Sequence, residues 1–355
     1  MTPLEKSLIQ SIHATGPITV ADYMNECLLH PQHGYYVSRP PFGRDGDFTT
    51  APEISQMFGE VIGLCLAQAW IDQGRPNPMT LVEIGPGRGT LMADILRATK
   101  AVPGFHAAAD IVLIEASDRL RCVQAKTLAG CSPRWLTHSS ELRSQPLFLV
   151  ANEFFDALPI RQFVRANDNW HERQIGLHGD ALAFGLSAPT SNAYLERRVA
   201  DTAPGDVVEI CPSAPAIIAD IALRIGTHGG AAVIIDYGNW RSKGDTLQAL
   251  QHHQMVSPLH SPGLSDITAH VDFEALSGAV ADMCETTTMT PQGVFLERLG
   301  ITTRAQALAQ TMTGDTLTQH IAAHRRLTHP DEMGQLFKVM GLYPRNATPP
   351  PGLTK

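Results

Sequence analysis

The sequence predicts an α/β fold with a doubly wound, mostly parallel sheet, and three observations carry that prediction. Residues 80–84 form a short apolar, partly β-branched stretch that runs into Gly85-Pro86-Gly87-Arg88-Gly89 and then into an amphipathic helix marked by Leu91, Met92, Ile95 and Leu96. Residues 111–114 form a second apolar stretch, which ends in an acid, Glu115, 26 positions after Gly89. Further strand candidates at 147–151, 207–211 and 231–236 alternate with helical stretches, the rhythm of a parallel core.

The remaining elements follow from local pattern. Residues 3–14 carry Leu4, Leu8, Ile9 and Ile12 at helical spacing, and Gly16-Pro17 ends that helix. Thr19 and Asp22 form a capping box for a second helix reaching about Leu29. No basic recognition helix follows, which speaks against a DNA-binding pair. A turn-rich stretch from His30 to Glu53 is long for an idle connection, and Tyr35, Tyr36, Thr50 and Glu53 are candidates for a lid. A long helix is expected over 54–72. Residues 161–188 alternate across polar turns and predict an antiparallel meander inserted into the core. Residues 247–270 read as a second loop over the site. Helices are expected at 271–283, 291–299, 302–312 and 315–325, a last strand at 336–342, and a disordered Pro-rich tail at 344–355. The expected division is 1–75 for N-terminal helices and lid, 76–246 for the core with its meander, 247–335 for loop and helical insertion, and 336–355 for last strand and tail.

Bulk composition narrows the function. A chain of 355 residues with 43% hydrophobic content builds one large or two moderate domains. The net charge of −8, with no Lys/Arg run, argues against a nucleic-acid partner. Six scattered cysteines without a C-x-x-C pair read as reduced thiols, and no cysteine pair joins the histidines at zinc-site spacing, so no metal is expected. Residues 61–71 are the longest apolar run, too short for a bilayer. The N-terminus shows no signal or transit pattern, so the expected location is cytoplasmic.

The glycine spacing selects the ligand. A dinucleotide fingerprint reads G-x-G-x-x-G, whereas this chain reads E-x-G-x-G-x-G from Glu83, with Thr90 where the last dinucleotide glycine belongs. A carboxylate at the second strand end, Glu115, suits both hydroxyls of a ribose. The bland alternatives are a tight strand–helix turn and a solvated or helix-capping acid.

The pattern resembles the first motif of class I methyltransferases, which have a Rossmann-like fold and bind S-adenosyl-L-methionine. Together with Gly34-Tyr35-Tyr36, Phe48 to Glu60, Asn152 to Pro159, Ile235 to Gly238 and Thr268 to Phe273, it makes the chain similar to the MidA-like methyltransferases, whose mitochondrial members assist assembly of respiratory complex I. Thr50-Ala51 departs slightly, since Ser is expected at the second position. The resemblance implies a protein arginine methyltransferase making symmetric dimethylarginine on a protein substrate, a complex I subunit in the mitochondrial members. The expected cofactor contacts are Glu83, Gly85, Pro86, Gly87, Gly89, Glu115, Asn152, Thr50, Pro52 and Glu53. Glu153 and Asp156, after the fourth strand, are the expected catalytic carboxylates that grip the guanidinium, and Asp236-Tyr237 is a second candidate pair. The alternatives are a non-catalytic S-adenosyl-L-methionine-binding assembly factor and an NAD(P)-dependent oxidoreductase.

Overall fold

The computed structural model describes residues 1–38, 50–167 and 169–355. The chain divides into two compact units, one drawn from Met1–Phe48, Asp156–Ala214 and Arg241–Asp272, the other from Thr49–Phe155, Pro215–Trp240 and Phe273–Lys355. They interleave along the chain, whereas the sequence reading cuts it at three successive points.

The second unit holds the expected α/β core. The main path of its sheet runs through β1 (Met79–Ile84), β2 (Ala109–Ile114), β3 (Arg134–Leu136), β4 (Leu147–Asn152), β5 (Gly230–Asn239), β6 (Glu285–Thr286) and β7 (Phe337–Tyr343). Their order across the sheet is β6-β7-β5-β4-β1-β2-β3. β1 to β5 run parallel; β7 is antiparallel to β5. Val82 faces Val112 on one side and Leu149 on the other, so the strand order reverses on either side of β1. That reversal opens a crevice at the strand C-termini. Every residue of β1 and β4 is buried, as covered parallel strands require.

Helices α1 (Ala51–Ile54), α2 (Gln56–Asp72), α3 (Thr90–Thr99), α4 (Asp118–Thr127) and α5 (Ala214–His228) accompany the sheet. The long helix expected over 54–72 is interrupted at Ser55, which adopts extended backbone and caps α2 by accepting from Met57 N at 3.3 Å. A capping serine competes with helix continuation, which explains the break. α2 crosses α3 closely because Gly63 lacks a side chain: a Cβ there would sit 2.9 Å from Ile95 Cα. Residues 344–355, expected to be disordered, are ordered: Leu353 is buried in the core and Thr288 N donates to Thr354 O at 2.9 Å. Burying one leucine and pairing the backbone offsets the ordering cost that composition alone suggested would win.

The first unit contains the expected meander: strands Arg161–Ala166, Asn169–His178 and Ala181–Thr190, all antiparallel. Asp168 lies outside the described residues, as do Gly43 to Thr49. Strand Val207–Ile210, expected in the parallel core, instead pairs antiparallel with Arg161–Ala166. A short apolar run does not distinguish the two settings; here the buried cross-strand bond from Gln162 Nε2 to Glu209 Oε1, 2.7 Å, belongs to the antiparallel pair. Residues 247–270, expected as a loop, build a three-stranded antiparallel sheet from Gln248–Gln251, Gln254–Val256 and Asp266–Thr268. Its hairpin turns through His252 and His253, both at positive φ. Helices Pro3–Thr15 and Val20–Leu29 pack into this unit, and both carry the full capping box.

In the core unit, Glu60 of α2 is buried and receives Arg97 of α3 and Arg304 of helix Ile301–Ala309. Burial alone raises the Glu60 carboxyl, but hydrogen bonds from Arg304 and Arg97 outweigh it and hold it below the ordinary range. Such stabilisation is complete above the unfolded-state pKa and is lost as pH falls through the folded-state value. Glu60→Gln therefore lowers unfolding free energy by about 1–3 kcal/mol near neutral pH. Urea titrations of both proteins check this, and the gap between them narrows in acid.

Candidate cofactor and active site

The turn after β1 reverses through three glycines at positive φ: Gly85 at 65°, Gly87 at 52° and Gly89 at 81°. Gly85 is the position that most requires glycine, since a Cβ there would also meet the Phe154 ring at 3.0 Å. Gly85 N donates to Ile114 O of β2, and Gly89 N to Pro86 O, which closes the turn around buried Pro86. Gly89 is the N-cap of α3 and brings no side chain to its orphan N–H groups. Glu83, near the end of β1, has a buried carboxyl beside that first turn, and the Met92 N–H there favours its charged form. Burial raises that carboxyl well above the carboxylate range, as do Asp94 and Glu115 nearby. Its Oε2 is an orphaned buried polar atom, without a hydrogen-bond partner.

Glu115 follows directly on β2. Its Oε1 accepts from Ser117 N at 2.8 Å and its Oε2 from Gln124 Nε2 at 3.1 Å, while burial raises its pKa. The capping alternative weighed for Glu115 is therefore partly realised, although Ser117 itself caps α4 through its Oγ. Gln124 was not legible as a site residue. It is completely buried, donates also to Gly87 O at 2.9 Å and accepts from Trp135 Nε1 at 2.8 Å. The available signal is its place four residues after Leu120, which puts a polar side chain on the inward face of a polar helix.

The end of β4 supplies the third group. Asn152 is buried, its Oδ1 has no hydrogen-bond partner, and its Nδ2 donates to Glu153 Oε1 at 2.9 Å. Glu153 sits at φ 52°, an unusual conformation for a non-glycine residue, and its Oε1 also accepts from Ala51 N at 3.0 Å. Asp236 of β5 is fully buried, and its Oδ2 accepts from Phe154 N and Phe155 N at 3.2 and 3.0 Å. It thus braces the backbone just after Glu153. Glu53 of α1 reaches the glycine turn: its Oε1 accepts from Thr90 Oγ1 at 2.5 Å and its Oε2 pairs with Arg88 at 3.4 Å. Pro52 is buried in the first turn of α1, and Thr50 precedes that helix without a side-chain capping bond.

The other expected residues belong to the first unit. Asp156 is buried, and its carbonyl accepts from Ala269 N at 3.0 Å. Tyr35 is fully buried in that unit's apolar cluster, and Tyr36 donates its hydroxyl to Asp266 Oδ1 at 2.9 Å. The lid expectation for Tyr35 gives way to core packing.

The donor set suits an adenosyl cofactor: a bent glycine turn, a carboxylate at the neighbouring strand end, and two orphaned buried oxygens at the ends of β1 and β4. A model of the family described as "Putative S-adenosyl-L-methionine-dependent methyltransferase" matches residues 61–292. The chain belongs to this methyltransferase family. The protein arginine methyltransferase NDUFAF7, mitochondrial, of Xenopus laevis is 37% identical over 96% of this chain and 84% of its own length. The human protein of the same name is 34% identical over 97% of this chain and 84% of its own. A superfamily member from Burkholderia thailandensis, crystallised with S-adenosyl-homocysteine, superposes with a TM-score of 0.82 at 30% identity, covering 96% of this chain and 91% of that one. The family fixes the cofactor as S-adenosyl-L-methionine and the fold as class I. The expectation of a cytoplasmic location is withdrawn, because these curated relatives are mitochondrial proteins. It rested on a missing leader pattern, which is not itself a signal of location.

A ribose seated against the Glu115 carboxylate would lose its acceptor if that group were removed. Glu115→Ala weakens S-adenosyl-L-methionine binding at least about tenfold, roughly 1.4 kcal/mol, by titration calorimetry.

Proposed function

We propose that this methyltransferase modifies an arginine side chain of a protein substrate, with Glu153 as the carboxylate that receives the guanidinium. The observation that carries this reading is the fixed, strained Glu153 beside Asn152 at the end of β4, next in the sheet to the glycine-turn strand. Relatives of high coverage that bear the name protein arginine methyltransferase support it.

Bound S-adenosyl-L-methionine supplies a methyl group on a sulfonium, open to in-line displacement. A protonated guanidinium is a poor nucleophile, since its pKa exceeds about 12. A carboxylate paired with its fork draws positive charge toward the gripped nitrogens and orients the remaining one. The bonds from Ala51 N and Asn152 Nδ2 fix the rotamer of Glu153, so its plane is set before the substrate arrives. Glu83, Gly85, Pro86, Gly87, Gly89, Glu115, Asn152, Thr50, Pro52 and Glu53 make up the proposed cofactor contacts. Asp156 enters as a second guanidinium carboxylate from its place three residues after Glu153 alone. The MidA-like resemblance extends the proposal to symmetric dimethylation and to a respiratory complex I subunit as acceptor.

The test is transfer of a radiolabelled methyl group into a cell lysate, with the modified residue identified by mass spectrometry. Label on arginine is expected; label confined to another residue type, or none, overturns the reading. Glu153→Gln lowers turnover about a hundredfold while binding S-adenosyl-homocysteine normally. Undiminished turnover removes Glu153 from the role.

A further inference from the structure

We infer that Gln124 is a positioning residue for cofactor recognition, holding the Glu115 carboxylate and the glycine turn in one fixed relation. The inference rests on Glu115 as the ribose acceptor.

Gln124 has two amide hydrogens, and both are committed: one to Gly87 O at 2.9 Å, the other to Glu115 Oε2 at 3.1 Å. Its Oε1 accepts from Trp135 Nε1 at 2.8 Å, which settles which end of the amide is the nitrogen. The side chain is fully buried, so neither end exchanges with solvent. Ser117 N holds the other Glu115 oxygen at 2.8 Å, so the carboxylate is pinned on both sides. Rotation about its last torsion would break one bond or the other. Each oxygen of a carboxylate accepts two hydrogen bonds, so a carboxylate pinned this way presents a fixed pair of acceptor directions, the arrangement that two vicinal hydroxyls need. Through Gly87 the same amide fixes the turn relative to that pair. Arg121 approaches Glu115 from α4, but its hydrogen bond goes to the Glu115 carbonyl oxygen at 2.8 Å, and it acts on the carboxylate only through its charge.

Gln124→Glu keeps the shape and the acceptor for Trp135 and removes the donors to Glu115 and Gly87. Two adjacent carboxylates repel, and as pH falls the pair takes up a shared proton, which restores a donor between them. Binding is measured with S-adenosyl-homocysteine and with its 2′,3′-dideoxy analogue. The wild type prefers the natural ligand by at least about tenfold. At about pH 8 the variant loses roughly tenfold more affinity for S-adenosyl-homocysteine than for the analogue, and that excess loss shrinks near about pH 5.5. Gln124→Met, uncharged and of similar length, shows the same selective loss without recovery, and carries the test if the first variant does not fold. Trp135→Phe, which leaves both amide N–H bonds in place, changes neither affinity by more than about threefold. Equal losses for both ligands, or a Trp135→Phe loss as large as that of Gln124→Glu, mean a packing role and overturn the inference. A wild type that binds both ligands alike overturns the ribose role of Glu115, a separate failure.

Discussion

The core unit depends on one recurring interaction: an acidic side chain at a strand end accepting the backbone N–H groups of the segment that follows or abuts it. Glu115 takes Ser117 N, Glu153 takes Ala51 N, and Asp236 takes Phe154 N and Phe155 N. Parallel strands release their chain into loops at one common edge, where backbone donors lose their sheet partners. Burying such donors unpaired costs about 1–3 kcal/mol each, and a carboxylate satisfies them with charge-assisted bonds. The edge that needs these acids for stability is the same edge that a cofactor and an acceptor can reach.

This coincidence explains why strain gathers there. Glu153 sits at positive φ, and the glycine turn occupies the left-handed region three times within five residues. Each feature is held by bonds from other elements: Asp236 behind Glu153, and Gln124 and Ile114 around the turn. Strain persists where the surroundings over-determine the conformation, and such sites are those where reacting groups must be pre-set. Glu53, which reaches Thr90 and Arg88 from α1, ties a sequentially distant helix to the same turn.

The glycine turn and the acid at the neighbouring strand tip were readable because their signals are local. Three glycines at alternate positions announce a backbone bend, and an acid after an apolar run announces a strand tip. The lid was not readable in the same way: Tyr35 and Tyr36 carry the same aromatic pattern whether they cover a ligand or fill a core, and here Tyr35 is fully buried in its own unit's apolar cluster. Gln124 was missed for the opposite reason. Its place four residues after Leu120 marks only an inward-facing side chain, and its contacts come from two groups, Gly87 and Glu115, brought to it by the sheet.

The sequence alone determined four of the five parallel strands, the end of the first helix, the cap of the second, the meander and the glycine bend, because each follows from side-chain period, backbone φ preference or a hydrogen bond within four residues. Only the tertiary structure decided that Val207–Ile210 joins the antiparallel sheet, that residues 247–270 form strands, that Ser55 breaks a helix, and that Leu353 anchors the tail. Those outcomes turn on contacts between residues far apart in the chain. Their free energy exists only once the partner surface has formed, so no local pattern announces them.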